Sequence, residues 1–255
     1  VRVGLELGGG RAEFQAVGGR YLVREAQAEE PIAVAADGEA WGVAAADAAV
    51  DDTRGSALLA GGNLVEAYYH STCGGTTAAV EEAFPQPPLP YLVSVADADG
   101  DGGFHCDGSR YFRWRAEYAQ PDLERLLGRN LGRYVALPSR GAGSIRDLEV
   151  VDTSEAGRVL ALRIETTTGS YQVARDDVRW LFADEASPGL RSTLFLLRKD
   201  RQRGFVESLT LTGGGWGHGV GMCQMGALGR AAAGAGHVEI LSHYYRGARV
   251  ERLYA

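Results

Sequence analysis

"GGGWGHGVGMCQMGALGRAAAGAGHVEILSHYY", residues Gly213 to Tyr245, opens with too much glycine for an ordinary strand or helix. Glycine lets a backbone take positive φ and lie close against a ligand or a second chain segment. The tract therefore reads as a recognition or catalytic loop, and from Met222 its pattern turns helical. The loop delivers Cys223 and Gln224 to the first turn of a helix, where free N–H groups favour an anion or polar ligand. His218, flanked by glycine on both sides, has little core to sit in; it and Gln224 are read as functional. Cys223 is read as a small buried residue, with a thiolate assisted by the helix start and His218 as the alternative.

Outward from this tract the chain reads as an α+β protein, a mixed, strand-rich domain with a few short helices. "VRVGLEL", "AEFQAV" and "RYLVRE" are strands punctuated by glycine turns, and residues 1–40 form a small β-module. A second region, residues 41–255, follows and is expected to be compact with it. "AAADAAVDDTRG" suits a short helix ending at Gly55, and "SALLAGGNLVEAYYHSTCGG" a hairpin about Gly-Gly-Asn that leads to His70–Gly75. "FPQPPLP", with four of the eight prolines, is an extended connector. "YFRWRAEY" reads as a strand, "QPDLERLLGRNLG" as a helix with Pro121 in its first turn, and "DLEVVDTSEAGRVLALRIETTTGSYQVA" as three alternating strands. "RDDVRWLF" fits a short helix, and "RSTLFLLRKDRQRGFVESLTLTG" a hairpin that feeds the glycine tract. Strands and helices do not alternate as βαβ units, which excludes a doubly wound sheet.

Composition narrows the partners. The formal charge of −7 and a pI near 5.3, with basic residues scattered along the chain, exclude a nucleic-acid binder. No stretch approaches the roughly 20 apolar residues of a membrane span. Three cysteines, Cys73, Cys106 and Cys223, are too few for a dense disulfide framework; one pair with a free thiol and three reduced thiols are both open. Asp97, Asp99 and Asp101 resemble the opening of a calcium loop, yet the later ligands at fixed offsets are missing.

"GWGHGVGMCQMGA" followed by "GHVEILSHYYRGARVERLY" resembles the end of the SpoIID/LytB domain, the sporulation and amidase-enhancer family. "DAAVDDTRG", "YYHSTCGGTT", "PYLVSV", the strand through Trp114 and "LRSTLF" match in the same order, so the resemblance covers roughly residues 40 to 255. It implies an exported, cell-wall-associated protein that acts on peptidoglycan glycan strands. Members similar to the sporulation protein are lytic transglycosylases, which cut between N-acetylmuramic acid and N-acetylglucosamine in strands stripped of stem peptides; others enhance an amidase or other wall hydrolase. Lytic transglycosylation needs one carboxylic acid to protonate the leaving oxygen and then, as carboxylate, to activate the sugar's own 6-hydroxyl.

The sequence departs from the family here. The family's acid stands in a Glu-Met-Pro-like motif before a helix of the type EALKAQAVAARTYA, whereas "RYLVREAQAEEPIAVAADGEAW" runs straight into the matching part. Glu81 and Glu82, just after the HSTCGG segment, are the acid candidates beside His218 and Gln224; Glu29 and Glu30 have the right order without the motif. His70, Ser71, Gly74, Gly75, Trp216, Gly217 and Gly219 are the expected sugar-contacting residues, on the premise that the two glycine-rich segments meet in one trough. The tyrosines 68, 69, 244 and 245 are expected to pack with hydroxyls at the surface. His237 and His243 are left outside the site. The resemblance also implies that the segment carrying zinc in some relatives is missing. No cofactor is assigned; a disulfide between Cys73 and Cys106 is preferred, with zinc held by His70, Cys73, His105 and Cys106 as the alternative. Enzyme and non-catalytic glycan-binding module both remain open.

Overall fold

The computed structural model describes residues 2–7, 10–17, 20–25, 34–36, 39–41, 49–185 and 187–254, the stretches before residue 49 by backbone only. Glu29 and Glu30 lie outside the described residues. The chain divides into two units, residues 1–57 with 251–255 and residues 58–250. In the first, β1 (Arg2–Leu7), β2 (Gly10–Val17) and β3 (Arg20–Glu25) form an antiparallel meander, and β4 (Val34–Ala36) pairs with β5 (Glu39–Trp41).

The second unit holds the motifs and is the mixed α+β fold read from the sequence. Strands β10 (Ile145–Thr153), β11 (Val159–Thr166) and β12 (Ser170–Ala174) form one antiparallel sheet, with the middle strand β11 buried along most of its length. A second sheet has the order β13 (Phe195–Gln202), β14 (Phe205–Gly213), β9 (Trp114–Ala119). Helix α2 (Gln120–Asn130) buries Leu123, Leu126 and Leu127 at three- and four-residue spacing, and Leu123 and Leu127 pack with Leu148, Leu162 and Leu209 in the main core. Pro121 sits in the helix's first turn, where a missing N–H costs nothing.

Strand β14 ends at Gly213, opposite both Phe195 and Trp114. A Cβ at Gly213 would lie 2.3 Å from the Trp114 ring, so only glycine lets the indole cross the strand end. From there the chain leaves the sheet and enters a second core. That core gathers Cys73, Ala78, Val80, Leu92, Cys106, Val220, Cys223, Ile240, Tyr244 and Tyr245. Around it stand α1 (Val80–Ala83), α4 (Gln224–Ala232) and α5 (His237–Tyr244); the short α3 (Asp177–Trp180) belongs to the first core.

The hairpin at Gly61-Gly62 forms as expected, with Leu59 opposite Leu64 and Ala60 opposite Asn63 on β6 (Ser56–Ala60) and β7 (Asn63–Leu64). Its second strand is too short to carry His70. That residue stands on a separate strand, β8 (Tyr69–His70), parallel to β15 (Met222–Cys223).

Candidate functional site: two interleaved glycine segments

The segment at residues 68–78 and the glycine tract at 213–223 are laced together. Trp216 and Thr72 exchange backbone hydrogen bonds of 2.8 and 3.1 Å, Met222 N donates to Tyr68 O at 3.0 Å, and Ala78 N to Gly219 O at 2.8 Å. Two glycines make this approach possible. Gly217 has φ +114° and Gly221 φ +72°; a Cβ would meet the His70 side chain at 2.7 Å and the Tyr68 carbonyl oxygen at 2.0 Å. Sequence separation of about 150 residues is thus closed by backbone contact.

His70 and His218 come to lie edge to face, with ring centroids 5.7 Å apart. They are not equivalent. His70 is 4 % exposed, and its Nδ1 lies 3.2 Å from the Val220 carbonyl, which fixes the proton on Nδ1. Its bare Nε2 is buried without a hydrogen-bond partner. Burial, then the charges of Arg158 and His218, lower its pKa to about 3. His218 is half-buried against Tyr68 and Phe84, and its Nδ1 accepts from Val220 N at 3.0 Å, leaving Nε2 as the proton-bearing nitrogen. Desolvation lowers its pKa as well, so both rings are neutral at pH 7.

Ser71, Trp216 and His218 keep partial exposure, while Gly74 and Gly75 are buried backbone and Gln224 is exposed at the start of α4. The Trp216 ring stands on Tyr111, with centroids 4.1 Å apart. The guanidinium of Arg110 lies 4.6 Å and that of Arg191 5.6 Å from the Tyr111 ring centroid. With Arg113 and Arg115 they rim a surface hollow of about 410 Å³. Arg110, Arg113 and Arg115 lie together in "RYFRWR", and folding adds Arg191 from far along the chain.

Glu81 and Glu82 lie on α1, directly after the segment that hydrogen-bonds the glycine tract. Burial raises the Glu82 carboxyl above the ordinary carboxylate range, against the opposing pull of Arg158. Its Oε2 is buried and without a partner. Arg158 itself is fully buried and donates Nη2 to the carbonyls of Cys73 and Thr76, at 2.9 and 3.1 Å. It lies directly under Gly219, where a Cβ would meet its Cζ at 2.4 Å. Nothing in "EAGRVLAL" marked this arginine, because a charged residue after a glycine turn reads as exposed.

The cysteines converge in a grouping other than the Cys₂His₂ set given above as the alternative to a disulfide. Cys73, Asp97, Cys106 and Cys223 place one potential ligand atom each within 4.8 Å of one another, and neither His70 nor His105 belongs to the set. The Cys73 and Cys106 sulfurs are 3.4 Å apart and unbonded. Tyr244 and Tyr245 are buried rather than surface-facing: their hydroxyls donate to Asp97 Oδ1 at 2.7 Å and to Tyr68 O at 2.6 Å. Asp99, in the run that resembles the opening of a calcium loop without its later ligands, is a turn acceptor for the Asp101 and Gly103 amides.

A family model described as "Domain of unknown function (DUF8618)" matches residues 98–221. The amidase enhancer of Bacillus subtilis is 28% identical over 222 residues, covering 78% of this chain and 31% of that protein. Stage II sporulation protein D of Bacillus amyloliquefaciens is 27% identical over 209 residues, with 78% of this chain and 48% of the relative covered. An uncharacterized protein of Brachyspira hyodysenteriae is 27% identical over 207 residues, with 81% and 48% covered. The chain thus spans between about a third and a half of the length of these curated relatives. Among the described residues no helix is long and apolar enough to cross a membrane. The ordered motifs and these relatives together make the chain SpoIID/LytB-like.

Proposed function

We propose that this chain grips peptidoglycan glycan strands in the cell wall, outside the cytoplasm, and cuts them as a lytic transglycosylase. The observation that carries the reading is the surface made by Ser71, Trp216 and His218 beside Tyr111 and its arginines. A sugar polymer needs a ring face for its C–H groups and polar partners for its hydroxyls. N-acetylmuramic acid adds a lactyl carboxylate, and the arginine rim supplies the complementary charge.

Glu82 is the acid we assign, because burial shifts its carboxyl toward the protonated form, the direction a proton donor needs. His218, neutral and partly exposed, with Nδ1 held by Val220 N and the ring also bonded to the Tyr69 backbone, presents a polar ring edge beside Trp216, and buried His70 supports it from behind. Gln224 and Gly217 complete the strand-facing segment, with buried Gly219 behind it over Arg158.

Incubation with peptide-free glycan strands and mass analysis of the products tests the chemistry. 1,6-Anhydromuramoyl ends are expected, disappearing in Glu82→Gln while strand retention persists. Since the acid must carry its proton, activity should fall as pH rises. Trp216→Ala should weaken strand retention about tenfold, the loss of an aromatic anchor worth roughly 1.4 kcal/mol or more. Arg191→Ala should flatten the salt dependence of retention. Unchanged retention in both variants would remove the surface from the reading.

A non-catalytic strand-binding module that assists an amidase is the second reading. It is favoured by the buried, unpartnered Glu82 Oε2 and by the name of the Bacillus subtilis relative. Retention without anhydro products, together with faster amidase turnover on addition of the chain, would establish it.

A further inference from the structure

Cys73, Asp97, Cys106 and Cys223 are each fully buried, with 0 % exposure, yet they come from three separated parts of the chain. Arg230 and Tyr244 pair one oxygen of the buried Asp97 carboxylate, and the other oxygen faces the sulfurs. Two edges of the group come close to those of a small tetrahedron, and all four potential ligand atoms lie within 4.8 Å of one another. Cys73 Sγ is 3.4 Å from Cys106 Sγ and 3.6 Å from Asp97 Oδ2. A tetrahedral ion with metal–sulfur bonds of about 2.3 Å and metal–oxygen bonds of about 2.0 Å sets sulfur–sulfur edges near 3.8 Å and sulfur–oxygen edges near 3.5 Å.

Two further features point the same way. Backbone amides are aimed at sulfur: Cys73 N and Gly226 N each lie 3.2 Å from Cys223 Sγ, and Gly75 N lies 3.3 Å from Cys73 Sγ. A neutral thiol is a poor acceptor, so three N–H groups converging on sulfur suit thiolates. Asp97 is split between two duties. Its Oδ1 is held by Tyr244 Oη at 2.7 Å and by Arg230 at 3.2 Å, which leaves Oδ2 facing Cys73. That is how outer partners orient a ligating carboxylate.

We propose that Cys73, Asp97, Cys106 and Cys223 hold one Zn²⁺ ion in a closed four-ligand site that fastens the glycine tract and the His70–Gly75 segment to the 97–106 loop. Three thiolates select a thiophilic ion over calcium or magnesium. Full burial and a complete ligand set leave no position for water, so the ion's role is structural. Loading replaces the thiol protons by the metal and releases them to solvent, with no change of oxidation state. A Cys73–Cys106 disulfide would engage two of the three sulfurs, leaving Cys223 with its amide donors and Asp97 with Tyr244 and Arg230 alone.

The test is metal analysis of the wild-type chain made in zinc-supplemented medium and passed through a desalting column. About one zinc per chain is expected, with all three cysteines alkylated after denaturation in chelator without reductant. Exchange with Co²⁺ should give the near-ultraviolet thiolate-to-cobalt charge-transfer absorption. Cys106→Ser and Asp97→Asn should lose the stoichiometric metal, and circular dichroism will show whether they remain folded. The wild-type measurements decide even where a variant does not. Folded wild-type protein that retains no zinc overturns the proposal, whether alkylation finds three free thiols or a Cys73–Cys106 bond. None of these readouts involves glycan, so the site stands or falls independently of the strand-cutting reading.

Discussion

Gly226→Ala is expected to destabilise the protein by about 3 kcal/mol or more, although the same change in an ordinary helix stabilises by up to about 1 kcal/mol. Gly226 is the third residue of α4, and its position is set by what lies beneath it. A Cβ there would fall 2.0 Å from Asp97 Oδ2 and 2.2 Å from Tyr244 Oη. Neither atom can yield cheaply, because the two side chains are buried and bonded to each other. The helix would have to lift, which separates Cys223 and Arg230 from the 97–106 loop. Gly128 is the control. It lies in α2, exposed, with nothing within 4 Å of the added Cβ. Gly128→Ala should therefore raise stability by about 0.5–1 kcal/mol. Urea unfolding of the two variants beside wild type gives the comparison; a stabilised Gly226→Ala protein would mean that α4 does not rest on Asp97.

Acid should weaken the fold in a way traceable to one ring. Folded His70 has its pKa lowered from 6.5 to about 3, so between those values the unfolded chain binds the proton and the native chain does not. Stability from this group is complete above pH 6.5 and is lost as pH falls. By linkage, the loss reaches about 4 kcal/mol at pH 3. The cause is local: the ring is desolvated and faces the Arg158 guanidinium and the His218 imidazole, so a positive charge has no compensation. His218, also lowered by burial, adds loss of the same sign. His70→Gln cannot titrate, and its unfolding free energy should fall less steeply between pH 7 and about pH 4 than that of wild type. Equal slopes would place the acid sensitivity elsewhere.

Which residues meet was partly legible. The glycine tract and the HSTCGG segment each announce close backbone approach, because no other residue tolerates it, and both histidines were visible as chemistry-bearing neighbours of glycine. What the strands do also follows from local pattern: the alternation in residues 145–174 and the hairpin ending at Gly213 depend on neighbours in sequence. Arg158 was not visible, and Asp97 was read only as one of three aspartates in a polar loop. Each sits in a polar, glycine-rich stretch that reads as solvent-exposed, and each is buried by segments more than 80 residues away. The tyrosine pair near the C-terminus was misread for the same reason, since their buried hydroxyl partners, Asp97 and Tyr68 O, lie far back in the chain.

By itself the sequence determined the elements, the mixed α+β class and the two glycine-rich segments as places where the backbone must come close. Those properties depend on local sterics and short-range hydrophobic period. Only the tertiary structure decided that His70 lies beneath its partner, that Arg191 joins Arg110 over Tyr111, and that three sulfurs converge on Asp97. These arrangements are set by which distant surfaces exclude water together, and that is not written in any one stretch of residues.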